Sequence, residues 1–317
     1  MVLQRITRCI GRNGEHYLAR TRRDYFRVLK AGSGAGLITA TTVVFKLIIA
    51  LLSLPYTTEA IFCGFNYAVS FLLMQALGFR LATKQPSLLA ATLIRRFRSR
   101  PTHLQIMAIV RSQFAATVGN FTFVVLAMVC FYMVGARPGS SFMSQEAAIQ
   151  TIESLDPFSS GTIAYAAITG VVLWLSSFIS GWMSHLSRKI GFMRRIAGIA
   201  FNLSLACFLS AIPYLGKVLD IPLDVRHFTL SSGALALSVC TLGVGNAFQE
   251  GLISASLGIV IIGSLNFFVS FLLSFITALL AQGLSWKRVA PGLRLALAAF
   301  IKTPLRFFIP VGPTPTP

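Results

Sequence analysis

Acidic side chains are scarce in this chain: nine Asp and Glu in 317 residues, against 28 Lys and Arg. Charge of either sign is low, at 12% of residues, where soluble domains carry about 25%. With 55% hydrophobic residues and a mean hydropathy of +0.74, the chain cannot cover a globule with polar surface. It needs lipid as the solvent for most of its helices. Cysteines are few and scattered: Cys9, Cys63, Cys130, Cys207 and Cys240, four of them inside apolar stretches. Their spacing supports neither a zinc site nor a disulfide framework and leaves them as small packing residues. A Walker loop, a nucleotide-binding glycine fingerprint and a zincin motif are all missing, so no cofactor and no metal is implied. The first 30 residues also lack a continuous apolar core before a small-residue cleavage site. They do not read as a cleaved signal peptide, and the first long apolar stretch is expected to act as the targeting signal.

What the chain has is apolar length. A membrane-crossing helix needs about 20 mostly apolar residues. Gly36–Pro55, Ala60–Phe79, Phe114–Gly135, Ile163–Met183 and Ile196–Leu215 meet that requirement. A longer apolar region, Phe228–Leu284, is interrupted between Gly243 and Gly251 and divides into Thr229–Phe248 and Leu252–Ala281. The basic residues are sorted around these stretches. Of the 28, 24 lie in residues 1–30, 80–111, 188–195 and 287–306, whereas the loop 136–162 sets Arg137 against Glu146, Glu153 and Asp156. Basic flanks remain cytoplasmic, which places both termini and the basic loops on that side. The charge excess is then a sidedness signal, with anionic lipid headgroups as partners at about 1 kcal/mol per surface Lys or Arg. Direct DNA binding is disfavoured.

Two cytoplasmic termini require an even number of crossings. The expectation is an all-α polytopic transmembrane helical bundle with six crossings plus a re-entrant segment at Thr229–Phe248, which starts on polar residues and ends in a Gly-Asn-Gln-Glu break. Seven full crossings are the alternative. The organisation is a cytoplasmic basic juxtamembrane segment (1–30), a transmembrane helical domain (31–284), and a basic interfacial helix with a Pro-rich tail (285–317). Interfacial helices are expected at 15–30, from Pro86 through Leu89, Leu93 and Phe97, and at 289–309. Asn66-Tyr-Ala-Val-Ser-Phe71 echoes Asn266-Phe-Phe-Val-Ser-Phe271, a match of the kind that marks inverted halves in transporters.

Seven residues are candidate binding groups. Lys46 lies halfway along the first span, where a lysine costs about 2.5–3.5 kcal/mol, so it faces the bundle or a cavity unless it snorkels. Glu250, beside Gln249, lies at the break in the last apolar region and could pair with Lys46. Asp224, Arg226 and His227 form a compact cluster, read either as a gate or ligand loop or as an outer-loop salt bridge. Lys84 and Gln85 open a basic loop, for headgroup contact or a phosphate site. Asn66, Asn120, Asn202 and Asn266 read as interhelical packing glue. No catalytic set stands out.

Several stretches resemble a bacterial family of polytopic membrane proteins labelled site-specific recombinase. They are Gly14-Glu-His-Tyr17, Asn66 to Phe71, Leu81-Ala-Thr-Lys-Gln-Pro86, Ile221-Pro-Leu-Asp-Val-Arg-His227, and Asn266 to Phe271. The resemblance runs from about residue 12 to about residue 310 and implies a multi-pass protein of the bacterial inner membrane. Longer members carry an N-terminal non-membrane region, so this chain resembles the membrane half, with a separate soluble domain or protein as a conceivable partner. The label implies DNA strand exchange. His185-Leu-Ser-Arg188 fits a His-x-x-Arg element, but the next tyrosine, Tyr214, belongs at the other end of a span, and Tyr17 and Tyr25 precede it in the chain. The residues favour a scaffold or a small-solute transporter, with an enzyme as the alternative, in DNA recombination or in lipid-phosphate chemistry.

Overall fold

In a computed structural model, residues 2–97, 101–135, 143–187 and 193–310 are described. Arg98, Arg100, Arg137, Arg188, Lys189 and the tail 311–317 lie outside them, as do the side chains of Arg194 and Arg195. In chain order the helices are α1 (Val2–Gly14), α2 (Arg22–Leu51), α3 (Tyr56–Ala76), α4 (Gln85–Arg96), α5 (Thr102–Gly135), α6 (Gln145–Ser154) and α7 (Thr162–Ser187). There follow α8 (Met193–Leu219), α9 (Phe228–Leu242), α10 (Val244–Gln249), α11 (Leu252–Ala281), α12 (Trp286–Lys302) and α13 (Leu305–Phe308). No strand occurs among the described residues.

Hydrophobic length sets the scaffold. Six helices, α2, α3, α5, α7, α8 and α11, are long and apolar enough to cross a bilayer. This is the expected all-α polytopic bundle with six crossings. The seventh apolar stretch is too short to cross: α9 has 15 residues and stops at Gly243, whose φ of +77° turns the chain into α10. The single re-entrant segment expected at Thr229–Phe248 is therefore two helices, because glycine at a left-handed position breaks it. Local chemistry fixes other ends. Thr21 and Asp24 form a reciprocal capping box at the start of α2, and Ser144 caps α6.

The bundle is built from two structurally repeated halves. In the first, Asn120 of α5 accepts from the Ala82 backbone N–H (3.0 Å) and donates to the carbonyls of Gly32 (2.8 Å) and Arg80 (3.0 Å). In the second, Asn266 of α11 accepts from the Phe228 N–H (3.1 Å) and donates to the carbonyls of Ala166 (3.0 Å) and Arg226 (3.0 Å). Arg80, Ala82 and Asn120 thus map onto Arg226, Phe228 and Asn266 with identical spacing. The helix pairs follow suit. α2 packs closely on α5 as α7 packs on α11, and α1 covers α4 as α6 covers α9. Gly36 permits the first close approach, since a Cβ there would lie 2.6 Å from the Asn120 carbonyl oxygen; Gly170 permits the second, 3.1 Å from that of Leu265. Each half contributes three long helices, so consecutive crossings leave the second half upside down relative to the first. α3 and α8 meet antiparallel: Lys217 donates to Glu59 at one end (2.8 Å), and Asn202 to Gln75 at the other (2.6 Å).

The echo between Asn66 and Asn266 does not mark the structural repeat. Asn66 donates to the Thr42 carbonyl (2.9 Å), and the structural counterpart of Asn266 is Asn120.

α4 also departs from expectation. Every residue from Gln85 to Ile94 is buried, so this helix does not lie along the headgroups. Neighbours take up Ser87 and Thr92 of this helix. Ser87 bonds Ser177 and accepts at its carbonyl from Ser274 (2.6 Å), and Thr92 donates to the Gly11 carbonyl (2.8 Å). By contrast α12 keeps Leu295, Leu297 and Ile301 exposed beside exposed Lys302, an amphipathic arrangement suited to an interface.

Candidate functional site

The two equivalent breaks, before α4 and before α9, meet near the middle of the bundle. Thr83 Oγ1 and His227 Nε2 share a hydrogen bond of 2.7 Å. Both residues are buried, and Thr229 beside them donates towards Asn120 (3.4 Å). The His227 ring packs against Phe71 (centroids 6.4 Å apart), which stacks on Tyr67 (6.2 Å, 11°). His227 lies in the connection before α9, where burial pulls its imidazole down to about 4 and keeps it neutral. Its Nδ1 has no hydrogen-bond partner. Two half-length helices therefore start at this polar, aromatic layer with their N-terminal, positive dipole ends.

A cavity opens on each side of the layer. The first, of about 490 Å³, lies at the end carrying α1 and is lined by residues that include Arg12, His16, Tyr17, Arg80, Lys84 and Asn202. Lys84 Nζ donates to Asn202 Oδ1 (3.3 Å) and lies 4.4 Å from the centroid of Phe201. Burial pulls its ammonium down to about 8. The Arg80 guanidinium lies over Tyr17, 4.7 Å from its centroid. Below this cavity Glu15 ties the turn Glu15–Tyr17 to the last turn of α4 through a bidentate pair with Arg96 (2.7 and 2.6 Å) and a contact with Arg95.

The second cavity, of about 710 Å³, lies at the opposite ends of α3 and α8. Lys46, Asp224, Arg226 and His227 all line it, so four of the candidate residues converge. Lys46 sits beside the Tyr67 phenol. Arg226 pairs with Asp224 (3.3 Å) and reaches the Ser154 carbonyl (3.4 Å), while its Nε is buried without a partner. Lys217 pairs with Glu59 across the rim. The two cavities are related by the internal repeat: Arg80 lines the first and its counterpart Arg226 lines the second.

A family model described as site-specific recombinase matches residues 1–189 and 191–310. The chain belongs to this family. No curated protein matches it.

The site-specific recombinase label invites a test of the residues against strand-transfer chemistry, which needs a tyrosine activated among arginines, a lysine and a histidine. His185 closes α7 and its partner Arg188 is outside the described residues. Tyr214 lies 21 residues along α8, about 30 Å from its start. The closest assembly is instead Arg12, His16, Tyr17, Arg80 and Lys84 around the first cavity. There burial pushes the Tyr17 phenol upward, opposite to what a nucleophile needs.

Of the other candidates, Lys84 lines the first cavity, away from the other charged candidates. Gln85 is fully buried in α4 with neither amide atom partnered. Glu250 is exposed after α10, outside the cavity that Lys46 lines, and the two form none of the ion pairs found among the described residues. Sequence reasoning missed Arg80, Thr83 and Phe71. A signal existed, since Arg80-Leu-Ala-Thr83 before Asn120 has the spacing of Arg226-His-Phe-Thr229 before Asn266.

Proposed function

We propose that this member of the site-specific recombinase family is a carrier of a small solute in the bacterial inner membrane, with its basic termini and basic loops cytoplasmic. The observation that carries the reading is the Thr83–His227 contact, a thin polar layer between two cavities that are repeat-related and face opposite ends. Inverted halves with broken helices meeting at mid-depth are the architecture through which secondary transporters alternate access. Both volumes lie within the range of about 300–1,000 Å³ of small-molecule sites. A scaffold would have its polar groups dispersed and satisfied, whereas Lys84 has only neutral partners, and His227 Nδ1 and Arg226 Nε have none. The sorted basic residues support the orientation and a cytoplasmic leaflet rich in anionic headgroups as partner. Where a separate soluble protein joins the membrane half, the basic end is its place of contact.

The test uses chain lacking its native cysteines, reconstituted in vesicles, with single cysteines at Ser184 in the first cavity and Thr151 in the second. A carrier gives labelling from opposite faces and flux of some solute in a panel of small anions, cations and neutral metabolites. Labelling from the same face, or no flux across the panel, rejects it.

A second reading, DNA strand transfer, is favoured by the grouping of Tyr17 with Arg12, Arg80 and Lys84. It requires a covalent DNA–protein adduct that Tyr17→Phe abolishes; absence of an adduct with the unaltered chain removes this reading.

A further inference from the structure

The first cavity holds several cations and no anion. Arg12, Arg80 and Lys84 line it, and no Asp or Glu is among its lining residues. In the second cavity Lys217 has Glu59 and Arg226 has Asp224, while Lys46 sits beside the Tyr67 phenol. Lys84 forms none of the ion pairs found among the described residues. Its Nζ meets one amide oxygen at 3.3 Å and the face of Phe201, both neutral. An ammonium held in a protein cavity without a counter-charge is costly, and an anion entering the cavity removes that cost. The remaining polar lining suits the same ligand. Asn13 and Ser184 add an amide and a hydroxyl group to the lining, and α4 starts immediately after Lys84 with its positive dipole end. Its first residues include Pro86, which has no N–H of its own to satisfy. Arg80 is held in place over the Tyr17 ring, a planar donor fork next to the lysine point charge.

We infer that the cavity at the α1 end is an oxyanion site, in which Lys84 and Arg80 bind the carboxylate or phosphate group of a small solute or of a lipid. The inference rests on reading the cavity as the place where a transported solute is held, yet it concerns binding and can fail separately from transport. Lys84 and Arg80 are binding groups here; the Glu15 pair with Arg96 fixes the neighbouring turn and is not part of the site.

The full chain purified in detergent is titrated with inorganic phosphate and with succinate at constant ionic strength, choline chloride serving as the control, with binding read by calorimetry and by thermal unfolding. The same chain is also reconstituted in phosphatidylcholine vesicles with and without phosphatidylglycerol. Saturable binding of a free anion that Lys84→Gln weakens about ten- to a hundredfold supports the free-solute source. Stabilisation confined to phosphatidylglycerol vesicles, and lost in Lys84→Gln, supports the headgroup source. Lys84→Arg keeps the charge and retains binding, and Lys302→Gln, on the exposed part of α12 away from both cavities, leaves binding of the free anion unchanged. Equal response of the unaltered chain and of well-folded Lys84→Gln to every anion overturns the inference, as does no response at all. Flux of a cation or a neutral solute without anion binding leaves the carrier reading standing and sinks this one; anion binding without flux does the reverse.

Discussion

Thr83 and His227 stand 144 positions apart in the chain and share one hydrogen bond of 2.7 Å at its centre. Each belongs to the break of a different half, so the bond couples the two halves directly. Thr83→Val leaves His227 Nε2 buried without a partner and should destabilise by about 1–3 kcal/mol. His227→Leu should cost a similar amount. The double variant should cost clearly less than the sum, because both polar partners are then gone. Denaturant unfolding in detergent measures all three; strict additivity would show that the bond does not couple the halves.

Asn120 and Asn266 each bond three backbone groups: the Ala82 or Phe228 N–H and the Arg80 or Arg226 carbonyl, which no helix ladder satisfies, and the Gly32 or Ala166 carbonyl inside α2 or α7. Changing either to Leu strands one N–H and one carbonyl, at about 1–3 kcal/mol per group before relaxation, and removes a second bond from a helical carbonyl. Both variants should be severely destabilised and to a similar degree. Asn66→Leu, which loses only one bond to Thr42, should cost about 0.6 kcal/mol. Detergent thermal unfolding ranks the three, and parity of Asn66→Leu with the others would contradict the repeat.

Gly36 and Gly170 occupy equivalent places on α2 and α7. A side chain on Gly36 must displace the α5 backbone at Asn120, and one on Gly170 must displace Val269 and the α11 backbone at Leu265. Gly36→Leu and Gly170→Leu should each reduce the yield of monodisperse protein sharply, with overpacking costs of about 1–3 kcal/mol or more. Size-exclusion chromatography reads the outcome.

The Glu15 carboxyl is held below its ordinary value chiefly by the hydrogen bonds from Arg96, against the opposing effect of burial. A depressed carboxylate contributes stability above the unfolded pKa, near 4.3, and loses it as pH falls through the lower folded value. Stability should therefore be flat above about pH 5 and decline below it. Glu15→Gln should remove about 1 kcal/mol at neutral pH and flatten that acid-side decline. Unfolding midpoints at a series of pH values compare the two proteins.

The six crossings were legible because hydrophobic length is a property of contiguous sequence, as in Leu252–Ala281. α4 was not. Its serine, threonine and arginine residues give it the pattern of a surface helix, and its burial depends on partners from distant segments: Gly11 for Thr92, Ser177 and Ser274 for Ser87. The convergence of Lys46 with Asp224, Arg226 and His227 could be anticipated from charge at membrane depth, whereas Glu250 shared that chemistry and is placed elsewhere by the φ values of Gly243 and Gly251. Thr83 escaped notice because a threonine in an apolar chain carries no charge to mark it. Asn120 reads as packing glue, but which backbone groups it satisfies, the Ala82 N–H and the Arg80 carbonyl, follows only from the folded arrangement.

Three crossings per half have a consequence for descent. A half-length ancestor with an odd number of spans presents its two termini to different compartments. Two copies of such a half can build this assembly only if one inserts right side up and the other inverted, and a single chain with both halves needs only one fixed sense of insertion.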